Sequence, residues 1–338
     1  MEDLKKYLQG IKQVRIISAA PYDADSLSSG IILRKFLENE GFDVTNHFPR
    51  KVSAKEISFL DFLPFFKLIE FGDTRELFKN STDKEIIIIV DGRDLIQFYD
   101  HKDRSKPEPD FSRCKIVRID HHALPEKEVA GHVIQDTEVS STIELLLRDI
   151  IPVQSLDSDL ATVAFAGLIG DTGNFRWNVN PYTFKLASQL LEKNVDNQAL
   201  VEQLLVLKDK HYMDLLSFCQ KNALYNEDIK TAFLLLSKNV IEENNLKHSD
   251  IQELKYCFVE EIGKRVRGYD RGIALIEWSK TSVFASGKST NTVCLPELFR
   301  HFGGNGQGHF NFAGAELETS FRSTYEGLCK MLAQTYMM

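Results

Sequence analysis

An α/β fold in two parts, with a parallel sheet in the first, follows from three features of the chain. Glu85–Val90 (EIIIIV) is apolar at nearly every position, the pattern of a strand covered on both faces. Val14–Ala20 (VRIISAA) and Cys114–Ile119 are shorter runs rich in β-branched residues, and each stops at acidic or imidazole side chains. Between these runs lie segments of helical spacing, so strands and helices alternate as in βαβ units.

The first strand ends in Pro21-Tyr22-Asp23-Ala24-Asp25-Ser26. Leu27–Glu40 then carries apolar residues at Leu27, Ile31, Ile32, Phe36 and Leu37 and stops at Gly41, which predicts a helix. In an extended turn, carboxylates two residues apart can each face a different cation. An Asp in this place equally well caps the helix. Phe42–His47 reads as a second strand, and Asp91 stands at the carboxyl end of Glu85–Val90.

Asp120-His121-His122 leaves the end of the Cys114–Ile119 strand. Ligands of open α/β sheets bind beyond the carboxyl ends of the strands. Imidazole suits Mn²⁺, Fe or Zn, and a neighbouring carboxylate can orient the ring. Ser140–Ile150 is predicted as a helix with a serine cap, and Leu160–Ile169 as a helix leading into Gly170-Asp171-Thr172-Gly173-Asn174. The glycines beside Asp171 would let the backbone approach a ligand closely. Asn180–Lys193 is a further helix.

The 338 residues suit two domains. The expected layout is a metal-binding domain over 1–195, a long helical connector over 196–224, and a smaller α/β domain over 225–338, with the active site in the cleft between the two domains. The second domain opens with alternation at Ile229–Leu235 and continues with a helix at Ser249–Gly263 and strands at Arg271–Trp278 and Ser282–Ser286. The glycine-rich run Phe302-Gly303-Gly304-Asn305-Gly306-Gln307-Gly308-His309 follows.

Hydrophobic content of 43% and charged content of 27% describe a globular protein. A net charge of −8 argues against a partner held by many phosphates, such as long nucleic acid, and leaves room for a small anion held by a few groups and a metal. Five scattered cysteines without a Cys-x-x-Cys pair predict reduced thiols. The first residues open an amphipathic helix without a signal-peptide core, and no apolar run nears the ~20 residues that span a bilayer. A cytoplasmic protein without membrane contact is expected.

Asp23, Asp25, Asp91, Asp120, His121, His122 and Asp171 thus gather in one α/β domain. So many acids repel one another unless cations neutralise them. Two divalent ions about 3.5–4 Å apart are a standard means of activating water against phosphorus. Hard oxygen donors with one imidazole favour Mn²⁺, with Mg²⁺ next.

The chain resembles the DHH phosphoesterase superfamily with its C-terminal DHH-associated domain. The resemblance rests on Tyr22-Asp23-Ala24-Asp25-Ser26, Val90-Asp91, Asp120-His121-His122, Gly170–Phe175 and the Gly303–His309 loop. It implies that Asp23 and Asp91 hold one cation and that Asp25, Asp91, His121 and Asp171 hold the other, with Asp91 bridging. It further implies that Asp120 orients a histidine, that His122 faces the substrate phosphate, and that water activated by the cations attacks. Gly303, Gly304, Gly306, Gly308 and His309 would clamp a phosphate or base. Many small members carry a His four residues before the first Asp; here that position is Ala19, which implies one ligand fewer. The arginine usual before the glycine-rich loop is also missing, so Ser286 or Lys288 would serve instead.

The resemblance implies hydrolysis of short linear oligonucleotides, above all dinucleotides such as pGpG, to 5′-mononucleotides. Cyclic dinucleotides or pAp are the next substrates. A RecJ-like single-strand exonuclease fits the acidic charge poorly. The alternative of another class is a nucleotide-binding regulator with weak catalysis, prompted by Ala19. The oligomeric state is left open, with a homodimer one alternative because related two-domain enzymes are often dimers.

Overall fold

The computed structural model describes residues 2–20, 22–52, 59–79, 82, 84–92, 94–100, 103, 105–122, 131–263, 265–290, 293–304, 307–309 and 311–335. The chain divides into two compact units, Met1–Leu207 and Lys208–Met338.

The first unit is organised by a six-stranded sheet: β1 (Gln13–Ser18), β2 (Asp43–Phe48), β3 (Ile69–Phe71), β4 (Glu85–Val90), β5 (Ile116–Asp120) and β6 (His132–Gln135). The order is β3-β2-β1-β4-β5-β6, and every pair is parallel. This is the doubly wound order, whose direction of winding reverses between β1 and β4 and opens a crevice there. Residue alternation sorts β4 between two layers. Ile86, Ile88 and Val90 enter the main core, whereas Ile87 and Ile89 pack with Ile17, Ala19, Phe78, Phe98 and Ile116 on the other face. Burial on both faces explains why this strand has no polar alternation.

The helices Ala24–Asn39 and Ser158–Asp171 pack together in the main core. Their contact is close because a Cβ at Gly170 would meet the Ala24 Cβ at 2.8 Å. The short strands β3 and β6 have too few residues for a period to show, and neither is predicted by the sequence pattern.

In the second unit β7 (Ala223–Asn226), β8 (Thr231–Leu236), β9 (Arg271–Ser279), β10 (Ser282–Ser289), β11 (Gln307–His309) and β12 (Phe312–Leu317) form a sheet of order β11-β12-β10-β9-β8-β7. Only the β8–β9 pair is parallel. Phe233, Ile273 and Leu275 face one apolar layer, and Ala232, Leu234, Ala274 and Ile276 face the other.

The segment predicted as one long helical connector is broken. Asn197–Val201 runs into a π turn ending at Val206, Leu207 is extended, and Asp209 caps a new helix, Lys210–Asn222, by accepting from Tyr212 N at 2.6 Å. Leu215 and Cys219 of that helix belong to the core of the second unit. The five cysteines are free thiols. Among the described residues no helix is long and apolar enough to cross a membrane.

Candidate metal centre

The winding of the sheet brings the carboxyl ends of β1, β4 and β5 side by side, and each delivers polar groups. Beyond β1, Asp23 has extended backbone and caps the helix Ala24–Asn39, its Oδ1 accepting from Ser26 N at 2.8 Å. Asp25 lies in the first turn of that helix. The expected extended Asp-x-Asp turn is therefore not formed. Capping by Asp23 starts the helix three residues before Leu27, and the two carboxylates divide between cap and first turn.

Asp25 is fully buried, and both its oxygens accept backbone hydrogen bonds: Oδ2 from Thr142 N at 2.6 Å and Oδ1 from Ile143 N at 3.0 Å. These donors are the first N–H groups of the helix Thr142–Leu145, which has no internal partner for them. The Ser141 hydroxyl caps the same helix by accepting from Glu144 N at 3.1 Å.

Asp91 follows β4 with φ of 60°, in the left-handed region. Asp and Asn enter that region more readily than most side chains, at a cost of about 1–2 kcal/mol. Its Oδ1 accepts from the Thr142 hydroxyl at 2.9 Å. Gly92 next to it cannot carry a Cβ, which would come 2.5 Å from the Phe98 ring and 2.7 Å from the Ala19 Cβ. Ala19 itself is enclosed in the apolar layer with Ile17, Ile89 and Phe98.

At the end of β5, Asp120 is fully buried between Arg118 (Nη2 to Oδ2, 3.3 Å) and His122 (Nδ1 to Oδ1, 2.7 Å). The Asp120 Oδ1 also accepts from the His122 backbone N–H at 3.1 Å, and the side chain of Gln135 donates to the His122 carbonyl. With Nδ1 facing a carboxylate, the ring is oriented by Asp120.

His121 Nε2 points the other way, 3.1 Å from Asp171 Oδ2 and 3.6 Å from Asp91 Oδ1. Two sets of donor atoms result, each drawn together within 4.8 Å: Asp25, His121 and Asp171, and Asp91, His121 and His122. Asp23 belongs to neither set, although its charge is felt by Asp25 and Asp91.

Burial and crowding make this pocket hold protons. Burial, then the charge of Asp171, raises Asp23 to about 6 and Asp25 to about 8. Burial and the charges of Asp25 and Asp23 lift Asp91 well above the carboxylate range. For His121 burial acts downward, but the Asp171 carboxylate and the charges of Asp25 and Asp120 carry it up to about 9. Asp120 differs: burial acts upward, yet the His122 hydrogen bond and the His122 and Arg118 charges hold it below the usual value.

These donors fit a divalent cation. His121 Nε2 is buried between two carboxylates, 3.1 Å from Asp171 Oδ2 and 3.6 Å from Asp91 Oδ1. Convergence of a ring nitrogen and carboxylate oxygens from distant segments is the donor set that a shared cation takes. Carboxylate and imidazole donors without thiolate suit Mn²⁺, Mg²⁺ or Fe²⁺.

Asp171 proves to be the last residue of the helix Ser158–Asp171, which extends two residues beyond the predicted Leu160–Ile169 at each end. Its glycine neighbours serve packing here: Gly170 admits Ala24, and Gly173, at φ of 54°, lies against the Trp177 ring. The Trp177 indole donates to the Asp171 carbonyl at 2.9 Å. Thr142 was not among the predicted site residues. The run Ser140-Ser141-Thr142 before an apolar helix was the available signal, and capping alone accounted for it.

The predicted substrate-side residues lie in the second unit. Gly303 has φ of 79° in a turn, and a Cβ at Gly304 would sit 2.6 Å from Leu317 and 3.1 Å from the Phe299 carbonyl. Gly306 lies outside the described residues. Gly308 and His309 belong to β11, opposite Ala313 and Phe312 of β12. Phe312 is also opposite Lys288 on β10, and Ser286 is opposite Gly314. Lys288 Nζ donates to both carboxylate oxygens of Glu260 at 2.6 Å.

Residues 13–168 match the family model described as the DHH family, N-terminal domain. The bifunctional oligoribonuclease and PAP phosphatase NrnA of Bacillus subtilis is 27% identical over 149 residues, which is 42% of this chain and 46% of that protein. A probable bifunctional oligoribonuclease and PAP phosphatase NrnA of Streptococcus mutans is 34% identical over 92 residues, 26% of this chain and 29% of its own. The chain thus spans about half the length, or less, of these curated relatives. An exopolyphosphatase-related protein from Bacteroides fragilis has the same fold: TM-score 0.79 at 20% identity, over 99% of this chain and 95% of that one. The doubly wound sheet thus falls within residues 13–168, the stretch that is similar to the DHH family, N-terminal domain.

Proposed function

We propose that the protein is a metal-dependent phosphodiesterase that hydrolyses short linear oligonucleotides, chiefly dinucleotides such as pGpG, to 5′-mononucleotides. The observation that carries this reading is the convergence of Asp25, His121 and Asp171 and of Asp91, His121 and His122 at the sheet's switch point. Two divalent cations, Mn²⁺ by preference, would supply positive charge against the phosphoryl oxygens and acidify water beside them. Asp25, Asp91, His121 and Asp171 would hold them, with Asp23 at the edge of the set.

The chain's own groups divide the remaining work. Asp120, kept ionised by Arg118 and His122, fixes the His122 ring so that Nε2 can donate to a phosphate oxygen when protonated. Helix N–H groups hold Asp25 in one rotamer, which leaves lone pairs on both oxygens for a cation. In the second unit His309 and the glycines 303, 304, 306 and 308 would take a terminal phosphate, with Ser286 and Lys288 near them on the sheet. The net charge of −8 favours a short substrate over a polymer.

Dephosphorylation of pAp is a second reading, favoured by the relatives named as both oligoribonuclease and PAP phosphatase. Purified protein with Mn²⁺ would be assayed against pGpG, pApA, a 20-mer RNA, cyclic di-GMP, cyclic di-AMP and pAp. Turnover of dinucleotides well above the 20-mer is expected. Equal rates on 2-mers and 20-mers overturn the short-substrate proposal. Tight dinucleotide binding without turnover would instead identify a nucleotide-binding regulator.

A further inference from the structure

Thr142 ties together the two sets of metal-competent groups, which also share His121. Its backbone N–H donates to Asp25 Oδ2 at 2.6 Å, and its hydroxyl donates to Asp91 Oδ1 at 2.9 Å. Asp25 belongs to one set and Asp91 to the other. The residue is fully buried, so water does not compete for either bond. Its partners reach it from distant parts of the chain, 117 and 51 residues away in sequence.

The backbone around Thr142 is itself held in place. The buried carboxylate of Glu144 accepts from the Ser140 hydroxyl and backbone N–H, from the Thr183 hydroxyl at 2.6 Å and from the Asn180 amide at 2.9 Å. These bonds tie the start of the Thr142–Leu145 helix to the start of the helix Pro181–Leu191. A rigid helix start therefore presents two donors in fixed relation, one to each set.

We propose that Thr142 is a positioning residue that sets the spacing of the two cation sites by holding Asp25 and Asp91 at once. The proposal rests on the metal-centre reading above and adds a residue to it. The hydroxyl orients Asp91, at positive φ after β4, through the same Oδ1 that lies 3.6 Å from His121 Nε2 and 3.9 Å from His122 Nδ1, and would leave that carboxylate's remaining lone pairs for a cation. The N–H does the same for Asp25. Loss of the hydroxyl frees Asp91 to rotate while the tie to Asp25 stays.

Thr142→Val removes the hydroxyl with little change of shape, and Thr142→Ser keeps it. Mn²⁺ binding to the full chain, followed by titration calorimetry and by EPR of free Mn²⁺, reads the effect without substrate. T142V should bind one of two ions about 10- to 100-fold more weakly, the range for groups that orient ligands, and T142S within about threefold of the parent. The T142V effect should vanish in an Asp91→Asn background, because the hydroxyl acts through that carboxylate. Two ions bound by T142V with parental affinities overturn the proposal while leaving the metal centre intact. Weak binding by T142S equal to that of T142V, or a T142V effect that persists beside D91N, also overturns it. A parent chain that binds no Mn²⁺ overturns the metal-centre reading and this proposal together. If T142V does not fold by circular dichroism, Thr142→Ala takes its place with the same expected outcomes.

Discussion

The polar groups of the two units are kept in place by different physics. In the first unit Asp25, Asp91 and Asp120 are buried at strand ends or helix starts, one of them at a left-handed φ, and two are lifted far above their ordinary pKa. Burial of like charges costs stability, and no apolar packing requires it. In the second unit the candidate residues already have structural employment. Gly304 leaves room for Leu317, Ser286 sits inside the sheet, and Lys288 is paired with Glu260. Groups held at a cost point to chemistry, whereas groups that also pack or pair carry a weaker signal.

The sharpest way to break this contrast is to remove one carboxylate from the first unit. Asp91→Asn keeps the shape and the tolerance for positive φ but loses the charge. Activity on pGpG should fall on the order of 10³-fold, and Mn²⁺ binding should fall with it. The metal-free variant should melt no lower than the parent, since repulsion with Asp25 and Asp23 is relieved. His122→Ala should cost on the order of 10²- to 10³-fold in kcat with both ions still bound. A D91N variant of full activity, or one that melts well below the parent, would remove the distinction between the units.

The same contrast appears as pH dependence. Asp23, Asp25 and Asp91 have folded-state pKa values raised above their unfolded ones, as does His121. For each, the folded state binds the proton more tightly, so the stabilisation is complete below the unfolded pKa and is lost as pH rises through the folded value. The metal-free protein should therefore melt progressively lower from about pH 4 up to 9, with Asp23 contributing up to about 6, Asp25 up to about 8 and His121 up to about 9. Mn²⁺ replaces the protons with a cation and should flatten or reverse that slope. Calorimetric melting at pH 6 and 9, with and without Mn²⁺, checks both signs; a metal-free protein equally stable at both values would contradict them.

Much of this candidate site was legible in the sequence because most of its metal-competent groups follow a strongly patterned element. The apolar run Glu85–Val90 identified its strand and placed Asp91, and the shorter Cys114–Ile119 run placed Asp120-His121-His122. What stayed hidden depended on contacts between distant segments. The bond from Thr142 to Asp25 spans 117 residues, and the helix bearing Asp171 continues past Ile169 where Gly170 packs on Ala24. The break at Leu207 also lacked a signal, since no glycine or proline marks it and only the Asp209 cap explains it. Strands as short as β3 and β6 exist because neighbours offer them a sheet edge, which no local pattern records.

The smallest expected effect lies in the second unit and decides whether it shares in the chemistry. Lys288 and Glu260 form a half-buried pair, which should contribute about 0–1 kcal/mol to stability. If Lys288 serves a substrate phosphate, Glu260 competes with that phosphate for the ammonium. Lys288→Ala should then raise KM for pGpG about tenfold, the worth of one charge-assisted contact, with kcat and melting temperature nearly unchanged. Glu260→Gln should lower KM, because the amine is released from its partner. Steady-state kinetics of both variants on pGpG read the two signs at once. An unchanged KM in both would make the pair purely structural and would move the substrate contact to other residues of the second unit.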